Sequence, residues 1–406
     1  MNPPLANVRV LDLTRILAGP LCTQILADLG AEVLKIEHPI QGDDTRLMGP
    51  FPEGESAPEL GTAAFFTSYN RNKRSITIDL KKEKGRELIL KLAAICDVFV
   101  ENYKVGDLKR YGLDYEAVRR VNPNIIYCSV TGFGQTGPHA RRAAYDSVLQ
   151  AMSGMMDTTG VPDGIPGGGP MRSGMPITDI LTGLNAAISV VAAVLGRDRS
   201  GGGSYIDISM LDVATAAMGH LATSYLITGA VPKRQGNSNP IGAPSSAYRS
   251  KDGFFMMSAG NNEQFRRILS ALSLPTSMHS DPRFATNEAR IVHRRILDEL
   301  LEEVTETQST EHWLSVLMSE QLPCAPINNV KQLFDDPQVI LRQLHVATQR
   351  ADGRPAHLLR SPLGISEYEV PYRPAPGLGD DNDFVLSQLL QLPEAERADL
   401  TREKVV

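Results

Sequence analysis

Four cysteines in 406 residues are too few and too scattered for a disulfide framework. Cys22, Cys96, Cys128 and Cys324 stand far apart, with no zinc-ligand spacing among them, and read as buried thiols in a reducing, cytoplasmic compartment. A surplus of positive charge is missing as well. Against 41 Lys and Arg stand 47 Asp and Glu, a formal net charge of −6, so the chain offers no basic footprint for a phosphate backbone and nucleic acid is excluded as a partner. The longest apolar tract, Ala186 to Leu195, is interrupted by Ser189 and closed by Gly196 and Arg197, short of the roughly 20 residues that cross a bilayer, so no membrane role is expected. The opening MNPPLANVRVLDL lacks the basic region and apolar stretch of a secretory leader. H-E-x-x-H and G-x-S-x-G are absent, which removes the anchor for a zinc hydrolase or a serine α/β-hydrolase, and no metal site is expected. G-x-G-x-x-G is absent too: LTRILAGP follows the first apolar run instead, so a nicotinamide or flavin cofactor is not indicated.

What is present is an ordinary globular composition, 42% hydrophobic and 22% charged, on a chain long enough for more than one unit. Val8 to Leu13 is a β-rich run, Leu21 to Leu29 has helical spacing, and Glu32 to Glu37 is a second apolar run after the helix stop Gly30. The alternation continues through Ser75–Leu80, Lys84–Ile95, Val98–Val100, Tyr115–Val121 and Ile125–Val130, which predicts an α/β fold with a parallel sheet. A glycine-rich loop, DGIPGGGPMRSG, then delivers the chain to a helix over Asp179–Leu195, a strand over Tyr205–Ile208 and a helix over Leu211–Leu226. From Tyr248 to about Leu322 the pattern is that of a smaller α+β unit, with Gly253–Ser258 and helices near Glu263–Leu272 and Arg290–Thr305. Helices near Val330–Phe334 and Asp383–Leu390 follow.

Three places carry candidate chemistry. Asp179 begins a long apolar helix behind the glycine-rich loop, where a carboxylate serves either as a helix cap or as a nucleophile that flexible glycines leave approachable. Arg15 and Ile16 follow the first strand, and Glu101, Asn102 and Tyr103 follow the 98–100 strand. Ligands of parallel sheets bind outside the carboxyl ends of the strands, so these groups share one edge. NRNKRS, with Arg71, Lys73 and Arg74, is either a phosphate-binding cluster or a solvated loop.

Read together, VLDLTRILAGP, LADLGAEVLKIEHPIQGDDTR, NRNKRSITIDL, DVFVENYKVGDLKRYGLDYE, NPNIIYCSVTGFGQTGP, AYDSVLQAMSG, ITDILTGL, GGGSYIDISMLD and LPCAPINNV resemble the class III CoA-transferase family, in order over nearly the whole chain. The resemblance is closest to the subgroup that moves CoA between succinyl-CoA and glutarate. It implies a Rossmann-like large domain with a parallel sheet plus a smaller α+β domain, in an interlaced homodimer. The large domain is expected over 1–225, the small domain over 226–325, and a C-terminal segment, 326–406, returns to the large domain. The resemblance also implies no tightly bound cofactor, with CoA esters as substrates, and a nucleophilic Asp179 that forms an aspartyl anhydride and then an aspartyl-CoA thioester. Carried over, Ile16 and Leu17 line the pantetheine, Lys73 and Arg74 belong to the basic CoA segment, and Asn102, Tyr103, Arg110 and Tyr111 bound the nucleotide. His38 stands where formyl-CoA transferase has an arginine near the adenine, and Ala143 where it has a lysine. Tyr145, in AAYD, takes the place of the histidine that acyl-CoA racemases of the same fold use, and a phenol with an ordinary pKa near 10 is a poor base, so transfer is expected over racemisation. The shorter GNSNPIGAP in place of a four-glycine loop argues against an oxalate-type transferase. A second carboxylate on the acceptor calls for an arginine, Arg15 first and Arg46 behind it.

Overall fold

Residues 2–52 and 61–406 are described by a computed structural model. The first of two compact units comprises residues 2–155, 173–229 and 340–406 and carries a six-stranded sheet. Its strands are β1 (Arg9–Asp12), β2 (Glu32–Glu37), β3 (Arg74–Thr77), β4 (Val98–Glu101), β5 (Ile126–Thr131) and, after a small hairpin of β6 (Gly160–Val161) and β7 (Gly169–Pro170), β8 (Ser204–Ser209). They run parallel in the order β3-β2-β1-β4-β5-β8, with Val10 opposite both Val33 and Val98. The strand order reverses at β1, so the switch point lies between the carboxyl ends of β1 and β4.

Alternate residues of these strands feed two separate cores, as a pleat with both faces covered requires. Leu11, Leu34, Ile36, Ile76 and Phe99 point to one face, where Leu88, Ile89 and Leu92 of the Glu83–Ala94 helix cover them together with Val385, Leu386 and Leu400 from the chain's end. Val10, Val33, Val98, Val100, Ile126 and Cys128 point to the other face, against Cys22 and Leu26 of the Ala18–Asp28 helix and Ala186, Ala187, Val190 and Val194 of the Ile177–Ser200 helix. Those two helices touch at Gly183, where a Cβ would stand 2.7 Å from the carbonyl oxygen of Ala18, so only glycine permits the approach. By length and composition, Ile177–Arg197 is apolar enough to cross a bilayer, with a mean hydropathy of 1.7, which the tract ending at Ser189 and Gly196 did not suggest. Its buried alanines and valines make it a core helix of the sheet. The C-terminal segment rejoins edge strand β3: Asp381 takes Arg74 Nη1 at 2.7 Å and the backbone N–H of Ser75 at 3.0 Å, and Asn382 takes that of Thr77 at 2.8 Å.

The second unit comprises residues 156–172 and 230–339. β9 (Ser245–Arg249), β10 (Phe254–Ser258) and β11 (Cys324–Pro326) form an antiparallel sheet in the order β11-β10-β9, over which Phe265, Leu269, Leu297, Leu301, Trp313 and Leu317 close a core. The glycine-rich 156–172 stretch joins this unit through Arg234, which donates to the carboxylates of Asp157 and Asp163 and to the carbonyl of Val161. Sequence periodicity missed three interruptions. The 211–226 stretch is two helices, Met210–Ala217 and Gly219–Thr228, parted at Gly219 with φ 48°. Arg290–Thr305 splits at His293 into Asn287–Val292 and Arg294–Thr305, and the 383–390 turn widens into a π-helical turn over Val385–Leu389.

Candidate active site

The loop leaving β1 is tied at nearly every polar atom. Asp12, at the strand's end, accepts from the N–H of Thr14 at 2.9 Å, from its hydroxyl at 2.5 Å, and from the Thr23 hydroxyl at 2.6 Å. Lys35 Nζ donates to the carbonyl of Thr14 at 2.9 Å and to Asp43 at 2.8 Å, and the other Asp43 oxygen accepts from the N–H of Ile16 at 3.3 Å. From across the switch point, Asn102 accepts the N–H of Arg15 at 3.0 Å and donates to its carbonyl at 2.7 Å. Ile16 itself sits at φ 72°, a left-handed conformation that a β-branched residue adopts only at a cost of about 1–3 kcal/mol when its surroundings impose it.

Beneath the loop, charges are buried in compensated sets. Burial raises the Asp12 pKa, but Lys73 and Lys35 outweigh it and hold the carboxyl below its ordinary range. Asp43 is likewise raised by burial and lowered further by Lys35. Burial is the main influence on the Lys73 ammonium and takes it down to about 8, with Asp12 opposing.

Outside the carboxyl ends of β2, β3 and β4 opens a cavity of about 330 Å³, lined by Arg15, His38, Tyr103 and Tyr111 among the sequence candidates and by Lys35, Asp43, Ile78 and Leu80 besides. Four of the sequence candidates thus meet around one space, Tyr103 and Tyr111 from the family pattern, His38 where that pattern has an arginine, and Arg15 from its place after β1. The others are placed differently. Leu17 is buried at the entry to the Ala18–Asp28 helix, and Ile16 is half-buried beside it. Lys73 spends its three protons on Asp12, the carbonyl of Pro20 and Asn70. Arg74 pairs with Glu32 and Asp381 and lies over the Phe384 ring, at the amino end of β3. Arg46 is fully buried, forked onto Glu37 at 2.7 Å through both Nε and Nη2 and stacked 3.8 Å from the Phe66 ring centroid, so its guanidinium has no free face for an acid. Arg110 is exposed and paired with Asp107. Arg15 stands half-exposed at the cavity rim, with Asp44 at 3.2 Å.

Asp179 lies in the first turn of the Ile177–Ser200 helix but does not cap it. The cap comes from another helix: Asp146 Oδ1 accepts from the N–H of Thr178 at 2.8 Å, the Thr178 hydroxyl at 2.5 Å and the N–H of Asp179 at 3.4 Å. Gln150 steadies Asp146 at 2.6 Å and accepts the N–H of Ser173 at 2.8 Å, fixing the approach to the helix. The Asp179 carboxylate has no hydrogen bond or ion pair of its own among the described residues. Burial first, and the Asp146 charge second, raise its pKa from 3.8 to about 7. The Tyr69 phenol is near enough to feel this charge: its pKa is raised by burial and then by Asp179. Tyr145, just before Asp146, is exposed. Sequence reading fixed on Tyr145 in AAYD and passed over Asp146 and Gln150, whose i, i+4 spacing on one helix was the available signal. Among the described residues there is no cluster of three or more metal-ligating side chains.

Comparison with known proteins shows the family. The profile of CoA-transferase family III matches residues 5–382. A succinate–glutarate CoA-transferase of Agrobacterium fabrum (strain C58) is 41% identical over 390 residues, 96% of both chains. The human succinyl-CoA:glutarate CoA-transferase is 39% identical over 405 residues, 99% of this chain and 90% of that one. The crystal structure of a CAIB/BAIF family protein from Brucella suis superposes with a TM-score of 0.84 at 41% identity, covering 96% of this chain and all of the other. A Rossmann-ordered sheet with an open switch point, a carboxylate left uncompensated at a helix start and near-complete matches to CoA-transferases lead to one assignment: the chain belongs to CoA-transferase family III and is a CoA-transferase.

Proposed function

We propose that the enzyme moves CoA from succinyl-CoA to a short dicarboxylic acid such as glutarate, with Asp179 as nucleophile and the switch-point cavity receiving the CoA nucleotide. The names of the relatives support the substrate pair. The observation that carries the mechanism is the Asp179 carboxylate, half-buried, without a cation among the described residues, and pushed up to about 7 by desolvation and by Asp146. An ionised carboxylate stripped of water and counter-charge is a stronger nucleophile than a solvated one. One of its oxygens attacks the thioester carbonyl, the C–S bond breaks, and CoA leaves as thiolate from a mixed anhydride. Thiolate attack on the aspartyl carbonyl releases succinate and leaves an aspartyl-CoA thioester. The acceptor carboxylate attacks that thioester and expels thiolate, which then takes the acceptor's acyl group and frees Asp179. Each step exchanges one carbonyl substituent for another, with no redox change.

Of the two arginines named from the sequence, Arg15 is the one left for the acceptor's far carboxylate, since Arg46 is locked to Glu37. His38, Tyr103 and Tyr111 bound the space for the CoA nucleotide. The functional unit is a homodimer. The Gly219–Thr228 helix has no buried residue although Leu226 and Ile227 are about four-fifths exposed, and Ile188 of the Ile177–Ser200 helix is also bare, an apolar surface that a second copy would cover. The test is chemical. Wild-type enzyme incubated with succinyl-CoA and then hydroxylamine is expected to carry an aspartyl hydroxamate at residue 179 by peptide mass. Full transfer activity in Asp179→Ala would end the mechanism.

A further inference from the structure

We infer that Asn102 is a positioning residue: its side-chain amide holds Ile16 in a left-handed conformation, and this fixed loop, rather than a contact between Asn102 and substrate, is what Asn102 contributes to transfer. The inference rests on the transferase reading of the switch-point crevice. Three observations carry it. Asn102 spends its carbonyl oxygen on the N–H of Arg15 and its amide nitrogen on the Arg15 carbonyl, a two-point clasp on the peptide groups flanking that residue. The next residue, Ile16, is the only β-branched one among the described non-glycine residues with positive φ, and only Asp43 at 3.3 Å meets its N–H. Arg15 and Tyr103, on either side of the clasp, line the cavity, whereas Asn102 does not.

Side chains with a branched Cβ resist positive φ, so the loop has a second, relaxed arrangement available whenever the clasp is removed. A ligand that binds only the held arrangement then sees its affinity reduced by the fraction still held. Glycine at position 16 adopts φ 72° without penalty, so it should remove the need for the clasp.

The test is a double-mutant cycle on the full enzyme, with succinyl-CoA and glutarate kinetics and CoA binding by calorimetry. With Ile16 present, Asn102→Ala is expected to lower kcat/KM for succinyl-CoA on the order of tenfold to hundredfold, chiefly through KM, and to weaken CoA binding in parallel. In the Ile16→Gly background the same change is expected to cost only about threefold or less. Asn102→Asp keeps an acceptor for Arg15 but sets an oxygen against its carbonyl. It should lose activity as Asn102→Ala does and be relieved by Ile16→Gly, which keeps the test open if the alanine variant folds poorly. An equal loss in both backgrounds would mean that Asn102 touches the ligand and would overturn the inference, as would wild-type kinetics in Asn102→Ala or Asn102→Asp. Absence of transfer in the wild-type enzyme would instead strike the functional reading.

Discussion

The loop after β1 and the start of the Ile177–Ser200 helix lie in the same unit and treat charge in opposite ways. Around Thr14–Ile16, Asp12, Asp43, Lys35 and Lys73 are buried together, and each finds an opposite charge and hydrogen bonds. At Asp179 a half-buried carboxylate stands beside another acid, Asp146, and receives neither among the described residues. Compensation ties the first region together; its omission at Asp179 is what the proposed nucleophilic role rests on. A buried group in a native fold without a partner is costly, and a cost of that kind persists where chemistry uses it.

The most forceful way to break this comparison is to neutralise Asp179. Asp179→Asn is expected to lower transfer by roughly 10³-fold or more in steady-state assays, since the covalent step is lost. Its stability should move the other way. A carboxyl raised from 3.8 to about 7 binds more protons folded than unfolded across that window, so the wild type loses stability as pH rises through it and carries the whole penalty above 7. Asn, which cannot ionise, is expected to stabilise the protein by on the order of 1–3 kcal/mol at pH 8 and by less at pH 5, read by denaturant unfolding. Equal stability at both pH values would show that the carboxylate is solvated.

The compensated region should respond in the reverse sense. Arg46→Met leaves Glu37 buried without its fork and is expected to cost about 3–5 kcal/mol in unfolding free energy. In the protein that remains folded, the KM for glutarate should be little changed; a large rise would return Arg46 to the acceptor site. A smaller effect separates Arg15 from that group. Its pair with Asp44 is exposed and contributes little to stability, so Arg15→Lys should leave unfolding unchanged while raising the dicarboxylate acceptor KM about tenfold. A monocarboxylate of equal length should respond only slightly.

The subtlest effect sharpens the comparison at Asp179 itself. If Asp179 is the nucleophile, as proposed, it must be ionised, and kcat/KM for succinyl-CoA is expected to rise with pH through about 7. Asp146→Asn keeps an oxygen for the Thr178 cap but removes the second influence on Asp179. It should therefore move that limb downward by roughly half to one pH unit. A limb that does not move would leave burial as the whole cause.

The alternation of Val8–Leu13, Leu21–Leu29 and Glu32–Glu37 was enough to predict a parallel α/β sheet, because burial on both faces writes itself into short apolar runs. The likeness of NRNKRSITIDL and NPNIIYCSVTGFGQTGP to a known family then singled out Asp179 among many candidate caps. Charge by residue type stayed ambiguous. Arg15, Arg46, Lys73 and Arg74 look alike in one dimension, and tertiary packing alone separates the guanidinium at the cavity rim from the cations consumed by Glu37, Asp12 and Asp381. The same holds for Asp146 and Asp179, two aspartates near helix starts, of which one caps the other's helix. Sequence by itself determined the parallel sheet and the helices that cover it, since these follow from local periodicity. Which ions are neutralised, which backbone turn is held at positive φ and which carboxylate is left alone were decided by contacts between residues up to 307 positions apart, because only folding fixes the partners that set an ionisable group's energy.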